Sequence, residues 1–167
     1  MKTLVIYYSL SGNTQKVAEA IANTLKADIN RLEDRHSRTG PLGMLLTIYQ
    51  VLFSRPGKIR FASTNPNEYD LLILGAPIWI MKLAPPMRSY ILKEKNKFKQ
   101  VAFFCTEGTS GASNAFKAME SLCAKKPVAT LEITEADIKS GLYREKTHSF
   151  ANSCQQGNSD NKGAVAV

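Results

Sequence analysis

The chain has 167 residues, 44% of them hydrophobic and 22% charged, enough for one domain with its own core. Lys and Arg number 22 against 14 Asp and Glu, a formal net charge of +8. This composition excludes collagen-like, broadly disordered and disulfide-dense chains. No uncharged apolar run reaches the roughly 18 residues needed to span a bilayer.

The start, MKTLVIYYSLSGNT, has no small-residue cleavage site and reads as a strand, not a signal peptide. Residues 3–8 (TLVIYY) are continuous, β-branched and aromatic, the pattern of a strand buried on both faces. Small polar residues and Gly12 break it at 9–14. Val17, Ile21 and Leu25 then recur at four-residue spacing among alanines, which predicts an amphipathic helix. Residues 27–32 form a weaker candidate strand. Residues 41–54 (PLGMLLTIYQVLFS) read as a helix that is apolar almost all round. Burial in the core is the ordinary use of such a helix, and a partner surface, a ligand lid or self-association is the alternative.

Residues 69–75 (YDLLILG) predict a third strand and residues 85–92 a helix with Pro in its first turn. Residues 100–105 (QVAFFC) predict a fourth strand, 112–123 a helix, and 128–133 (VATLEI) a fifth strand. A last helix is expected over 140–154, with Leu142, Tyr143, Phe150 and Ala151 inward. The domain therefore covers 1–154. Residues 155–167 (QQGNSDNKGAVAV) lack a large apolar anchor and are expected to be a disordered tail. Five buried strands alternating with helices predict an α/β domain whose parallel sheet is covered on both faces. Cys105, Cys123 and Cys154 form an odd set without CxxC spacing, which fits reduced thiols in a cytoplasmic protein.

The charge is uneven. Residues 31–60 hold six Lys/Arg against Glu33 and Asp34, and residues 82–99 hold six against Glu94. A basic surface attracts nucleic acid, anionic lipid or an acidic protein, or is simply solvated.

The segment with most chemical content is Ser9, Leu10, Ser11, Gly12, Asn13 and Thr14, between the first strand and the first helix. Three hydroxyls and an amide can donate to an anion, and Gly12 lets successive backbone N–H groups converge. The helix start adds its dipole and unpaired amides. A polar turn that merely caps the helix is the alternative reading. There is no GxxxxGK[ST], no GxGxxG after the first strand and no loop cysteine, which excludes a triphosphate P-loop, a dinucleotide Rossmann site and a thiol phosphatase. His36 and His148 lack companions at ligand spacing, so no metal site is expected.

Two further loops leave the same edge of the sheet. One follows Gly75 and carries Pro77, Ile78, Trp79 and Ile80; the other follows Cys105 and carries Thr106, Glu107, Gly108 and Gly111. Ligands of doubly wound sheets bind at the carboxyl ends of strands beside the switch point. Trp79, the only tryptophan, stands where a planar heterocycle would lie, although core packing is its ordinary use.

SLSGNT after strand one, GAPIW after strand three and TEGTSG after strand four together resemble the flavodoxin family. The resemblance extends over about residues 1–150 and, with no long insertion in the fifth strand, is similar to the short-chain branch. It implies a flavodoxin-like doubly wound sheet in order 2-1-3-4-5, helices on both faces, and FMN held noncovalently at the sheet edge. Ser9, Ser11, Gly12, Asn13 and Thr14, with Leu10 among them, match the family's phosphate loop. Pro77, Ile78 and Trp79, with Ile80 beside them, match one ring-binding loop; Thr106, Glu107, Gly108 and Gly111 match the other. Lys82 and Glu107 would bring opposite charges near the ring.

The chain departs from the family in three ways. Typical members are acidic and stack a tyrosine from the fourth-strand loop on the flavin. This chain is basic, has no aromatic residue in 106–113, and inserts the apolar segment 41–54. The expected function is electron transfer or flavin-dependent redox chemistry with a protein partner, an acidic one on the basis of charge. An NAD(P)H-dependent FMN or quinone reductase, and a non-enzymatic module using its basic face, are the alternatives. Nucleic acid is not the first choice of partner. With this strand order, both basic windows are expected on one face beside the FMN edge.

Overall fold

The structure, a computed structural model, describes residues 1–35, 40–60, 64–108 and 110–163, with 157–163 as backbone only. The elements in chain order are β1 (Thr3–Tyr7), α1 (Asn13–Leu25), β2 (Asp28–Arg31), β3 (Glu33–Asp34), α2 (Gly40–Leu52) and β4 (Ile59–Arg60). They continue with β5 (Leu71–Trp79), β6 (Lys82–Leu83), α3 (Pro85–Glu94), β7 (Gln100–Glu107) and α4 (Ala112–Cys123). The chain closes with β8 (Thr130–Thr134), α5 (Glu135–Ser140) and α6 (Tyr143–Gly163).

The main sheet runs β2-β1-β5-β7-β8, all pairs parallel, with β6 folded back antiparallel on the end of β5. Counting only the parallel strands, this is the expected order 2-1-3-4-5. Period-two alternation divides the core into two layers. Leu4, Ile6, Leu72, Leu74 and Phe103 pack on one side with Met87, Tyr90 and Ile91 of α3 and Met119 of α4. Val5, Leu71, Ile73, Ala102 and Phe104 pack on the other with Val17 and Ile21 of α1 and Phe150 of α6. The continuous apolar runs of β1, β5 and β7 are therefore consumed by two cores at once. A Cβ on Gly75 would collide with the Phe104 ring, so this strand position must stay bare for the sheet to close.

The outer strands differ from the sequence reading. β2 is exposed along most of its length, and β8 alternates buried Leu131 and Ile133 with exposed Thr130 and Glu132. Both are edges of the sheet, with no strand among the described residues on their outer side to demand apolar residues. The last helix also differs. It starts at Tyr143, leaves Leu142 exposed before it, and continues to Gly163 through the region expected as tail. Once nucleated on Phe150, Ala151 and Cys154, polar residues propagate a helix without anchors of their own. Residues 164–167 lie outside the described residues.

The long connection after β2 is an excursion closed by a short antiparallel ribbon, Glu33 opposite Arg60 and Asp34 opposite Ile59. It carries α2 and is tied to α3 where Ser89 Oγ donates to the Gly57 carbonyl at 2.6 Å. No helix among the described residues is long and apolar enough to cross a membrane. Cys105, Cys123 and Cys154 are free and buried, and burial pushes the thiols of Cys123 and Cys154 up to about 12.

Candidate functional site

The carboxyl ends of β1, β5 and β7 meet at one edge. Ser9 is buried, and its Oγ accepts the Gly12 N–H at 3.1 Å, which curls the loop. Gly12 stands in the left-handed region at φ 94° and precedes α1 with no side-chain cap. Its missing Cβ would meet nothing within 4 Å, so glycine is required here by backbone torsion alone. With no cap, the first-turn amides of α1 are left for an outside acceptor. Buried Thr14 does not face that loop's solvent side; its hydroxyl bonds Thr106 on β7 at 2.7 Å and locks the loop to the sheet.

Sequence reading missed Arg31 at the end of β2. Its Nη2 donates to the Ser9 carbonyl at 3.1 Å and its Nη1 to Gln15 Oε1 at 3.4 Å, placing a fixed cation against the loop. The signal was available only through topology, because β2 lies beside β1 and ends level with it.

β5 runs to Trp79, four residues past the glycine where the sequence suggests a loop. Ile78 pairs with Leu83 and Trp79 with Lys82. Ile80 and Met81 form the two-residue tip at φ 49° and 58°. Such tips need positive φ at both positions and normally take Asn-Gly; a β-branched residue there is strained. Gly111, at φ 127°, braces the hairpin: a Cβ on it would lie 2.9 Å from Ile78 Cγ2 and from Met81 Cα. The Trp79 ring meets Tyr8 edge to face at 5.7 Å.

On the other side of the hairpin lies an apolar cleft of about 420 Å³. It is lined by Leu10, Ile78, Trp79 and Ile80, and by Met44, Thr47, Ile48 and Val51 of α2. Leu10 belongs to both the polar loop and the cleft, so the two are continuous. The apolar segment 41–54 is thus one wall of the site. Lys82, expected as a charge near the ring, donates its Nζ to the Leu52 carbonyl at 2.8 Å and fastens α2 to the hairpin.

Of the expected set, Leu10, Ile78, Trp79 and Ile80 line the cleft. Ser9, Ser11, Gly12, Asn13 and Thr14 lie in the loop and helix start that lead to it. Pro77, Thr106, Glu107, Gly108 and Gly111 are not among its lining residues. Pro77 is paired within the sheet opposite Thr106. Glu107 is buried at the end of β7, and its Oε2 has no hydrogen-bond partner among the described residues. Burial first, then the neighbouring Glu132 carboxyl, push its pKa up to about 7, against the opposing pull of the Ala112 N–H. Among the described residues no cluster of His, Cys, Asp and Glu could hold a metal.

A doubly wound sheet in this order, with its cleft at the carboxyl edge, is a flavodoxin-like α/β fold. Solved structures bear this out. The chain is similar to a flavoprotein in complex with FMN from Lactobacillus acidophilus NCFM (21% identity, 83% of this chain and 97% of that one, TM-score 0.70). It is similar to oxidised Flavodoxin 2 from Bacillus cereus (19%, 93% and 99%, 0.62) and to a flavodoxin from the domain Archaea (20%, 93% and 99%, 0.55). No protein-family model matches the chain, and no curated protein matches it.

Proposed function

We propose that this protein binds FMN at the edge of its sheet and works as an electron-transfer or flavin-dependent redox protein. One observation carries the reading: an uncapped, glycine-led helix start runs through Leu10 directly into an apolar cleft walled by Trp79. A planar ring with a phosphate tail needs that pairing of surfaces. The amides at the start of α1, with the Ser11 hydroxyl and the Arg31 guanidinium, would hold the phosphate. Leu10, Trp79 and Ile80, with Met44 and Ile48 opposite, would hold the ring and exclude water. Bound flavin supplies one- and two-electron chemistry that no side chain here provides. The structural neighbours, one of them described with FMN, support the same choice.

Titration of FMN and riboflavin by flavin fluorescence tests it. Charge-assisted hydrogen bonds are worth about 1.5–3 kcal/mol each, so FMN is expected to bind at least about tenfold more tightly than riboflavin. Arg31→Ala should narrow that preference. A folded protein that takes up neither compound and shows no flavin absorption overturns the reading.

A further inference from the structure

From Gly40 to Ser54 the chain has no charged side chain. α2 turns buried Gly43 and Val51 toward the domain, with Thr47 between them. It leaves Leu42 82%, Leu45 63%, Tyr49 50% and, just past its end, Phe53 65% exposed. Exposed Leu10, Ile80 and Met81 continue that surface around the mouth of the cleft, since Leu10 and Ile80 line it together with Met44 of α2. One side of the domain therefore presents a band of large apolar groups, the mark of a docking surface.

The charge beside the band selects its occupant. Residues 35–67 contain five Lys/Arg and no Asp or Glu. Exposed Arg55 follows α2 directly, its N–H donating to the Gln50 carbonyl at 2.8 Å. Exposed Lys58 and Arg35 are joined through their backbones at 2.9 Å. Arg60 is already paired with Glu33. A two-fold contact between copies would bring the same patch face to face, cations included, which opposes self-association. Anionic headgroups would neutralise these charges while the acyl region takes the leucines and aromatics. Tyr49, its ring 5.1 Å from that of Phe53, has the amphipathic character favoured at that boundary. The 13 residues of α2 extend about 20 Å, short of a bilayer core of about 30 Å. The helix can lie in the interface but cannot cross it.

We infer that α2 docks the protein on an anionic lipid bilayer, with the mouth of the cleft toward the membrane. This stands whether or not the site holds a flavin.

The test is flotation of the full chain with vesicles of phosphatidylcholine alone or with about 30% phosphatidylglycerol, the second giving an anionic surface. Binding is expected to the anionic vesicles only and to weaken with added salt. Leu45→Glu with Phe53→Glu should abolish it, and Arg55→Ala or Lys58→Ala should each weaken it about fivefold. Both apolar positions are exposed, so unchanged circular dichroism and melting confirm that these variants fold. A folded protein that ignores anionic vesicles, or binds neutral ones equally, overturns the inference. So does a dimer in light scattering that the Leu45→Glu, Phe53→Glu variant disperses without vesicle binding, which assigns the face to a second copy. Binding to polyglutamate but not to vesicles overturns it too, in favour of an acidic protein.

Discussion

Single residues at the site answer to different forces, and substitutions separate them. Gly12 faces open space but holds φ 94°, so Gly12→Ala meets no clash and pays only for torsion. A loss of about 1–2 kcal/mol is expected in urea unfolding, with weakened FMN uptake in titration. Gly75→Ala meets the opposite problem, because its Cβ enters the Phe104 ring inside the sheet. Overpacking of this kind costs about 1–3 kcal/mol and should appear in unfolding without a direct change at the loop. Glu107 adds a pH signature. The folded chain holds its proton up to about 7, while an ordinary glutamate releases it near 4.5. The folded state thus binds the proton more tightly, so stability is full below about 4.5 and falls as pH rises toward 7. Glu107→Gln should flatten the decline in Tm between pH 5 and pH 8. A decline of the same size in the variant would show that another group causes it.

At the scale of elements, the β5–β6 hairpin carries a strained tip at Ile80 and Met81, braced by Gly111 and by the bond from Lys82 to the Leu52 carbonyl of α2. Ile80→Asn with Met81→Gly should relieve about 1–2 kcal/mol per residue, raising Tm while weakening flavin binding through loss of the Ile80 wall. The strained tip thus stands where Ile80 lines the cleft. Helix α5 shows the reverse, local optimisation. Thr134 and Asp137 form a reciprocal capping box, and Lys146 bonds the Asp137 carboxylate at 2.8 Å. The Lys146 bond first, then the Thr134 N–H, hold that carboxyl below its usual value. Its stabilisation is therefore present above the ordinary carboxylate range and lost as pH falls through the folded value. Asp137→Asn should reduce Tm at neutral pH and reduce the acid sensitivity of the melt.

For the molecule as a whole, the +8 charge does not gather on one face beside the site. Arg31, Arg55 and Lys58 belong to the segment that borders the cleft. Lys95 and Lys97 lie instead in the turn that enters β7, and Lys99 reaches Asp70 at the start of β5. That is the amino end of the parallel strands, opposite the cleft. The expectation of one basic surface is corrected because α3 runs back along the sheet and carries its trailing lysines to the far edge.

The sequence by itself determined the layered plan. β1, β5 and β7 are read from continuous apolar runs because burial on both faces leaves no other composition stable. The helix at 112–123 and the loop at 9–14 are equally legible, from apolar spacing and from the Gly12 break. The hairpin at 76–83 is not, since Pro77 reads as a strand breaker and nothing local demands positive φ at Ile80. Arg31 is invisible for the same reason, and the helix at 41–54 is legible as an apolar surface or lid but not as the wall opposite Trp79. Their roles depend on which element lies alongside, and tertiary packing alone brings residues 31, 44–51 and 78–80 to the loop at residue 10. Local sequence sets each segment's period and polarity. The cleft exists only where segments distant in the chain are pressed together by the burial of two shared cores.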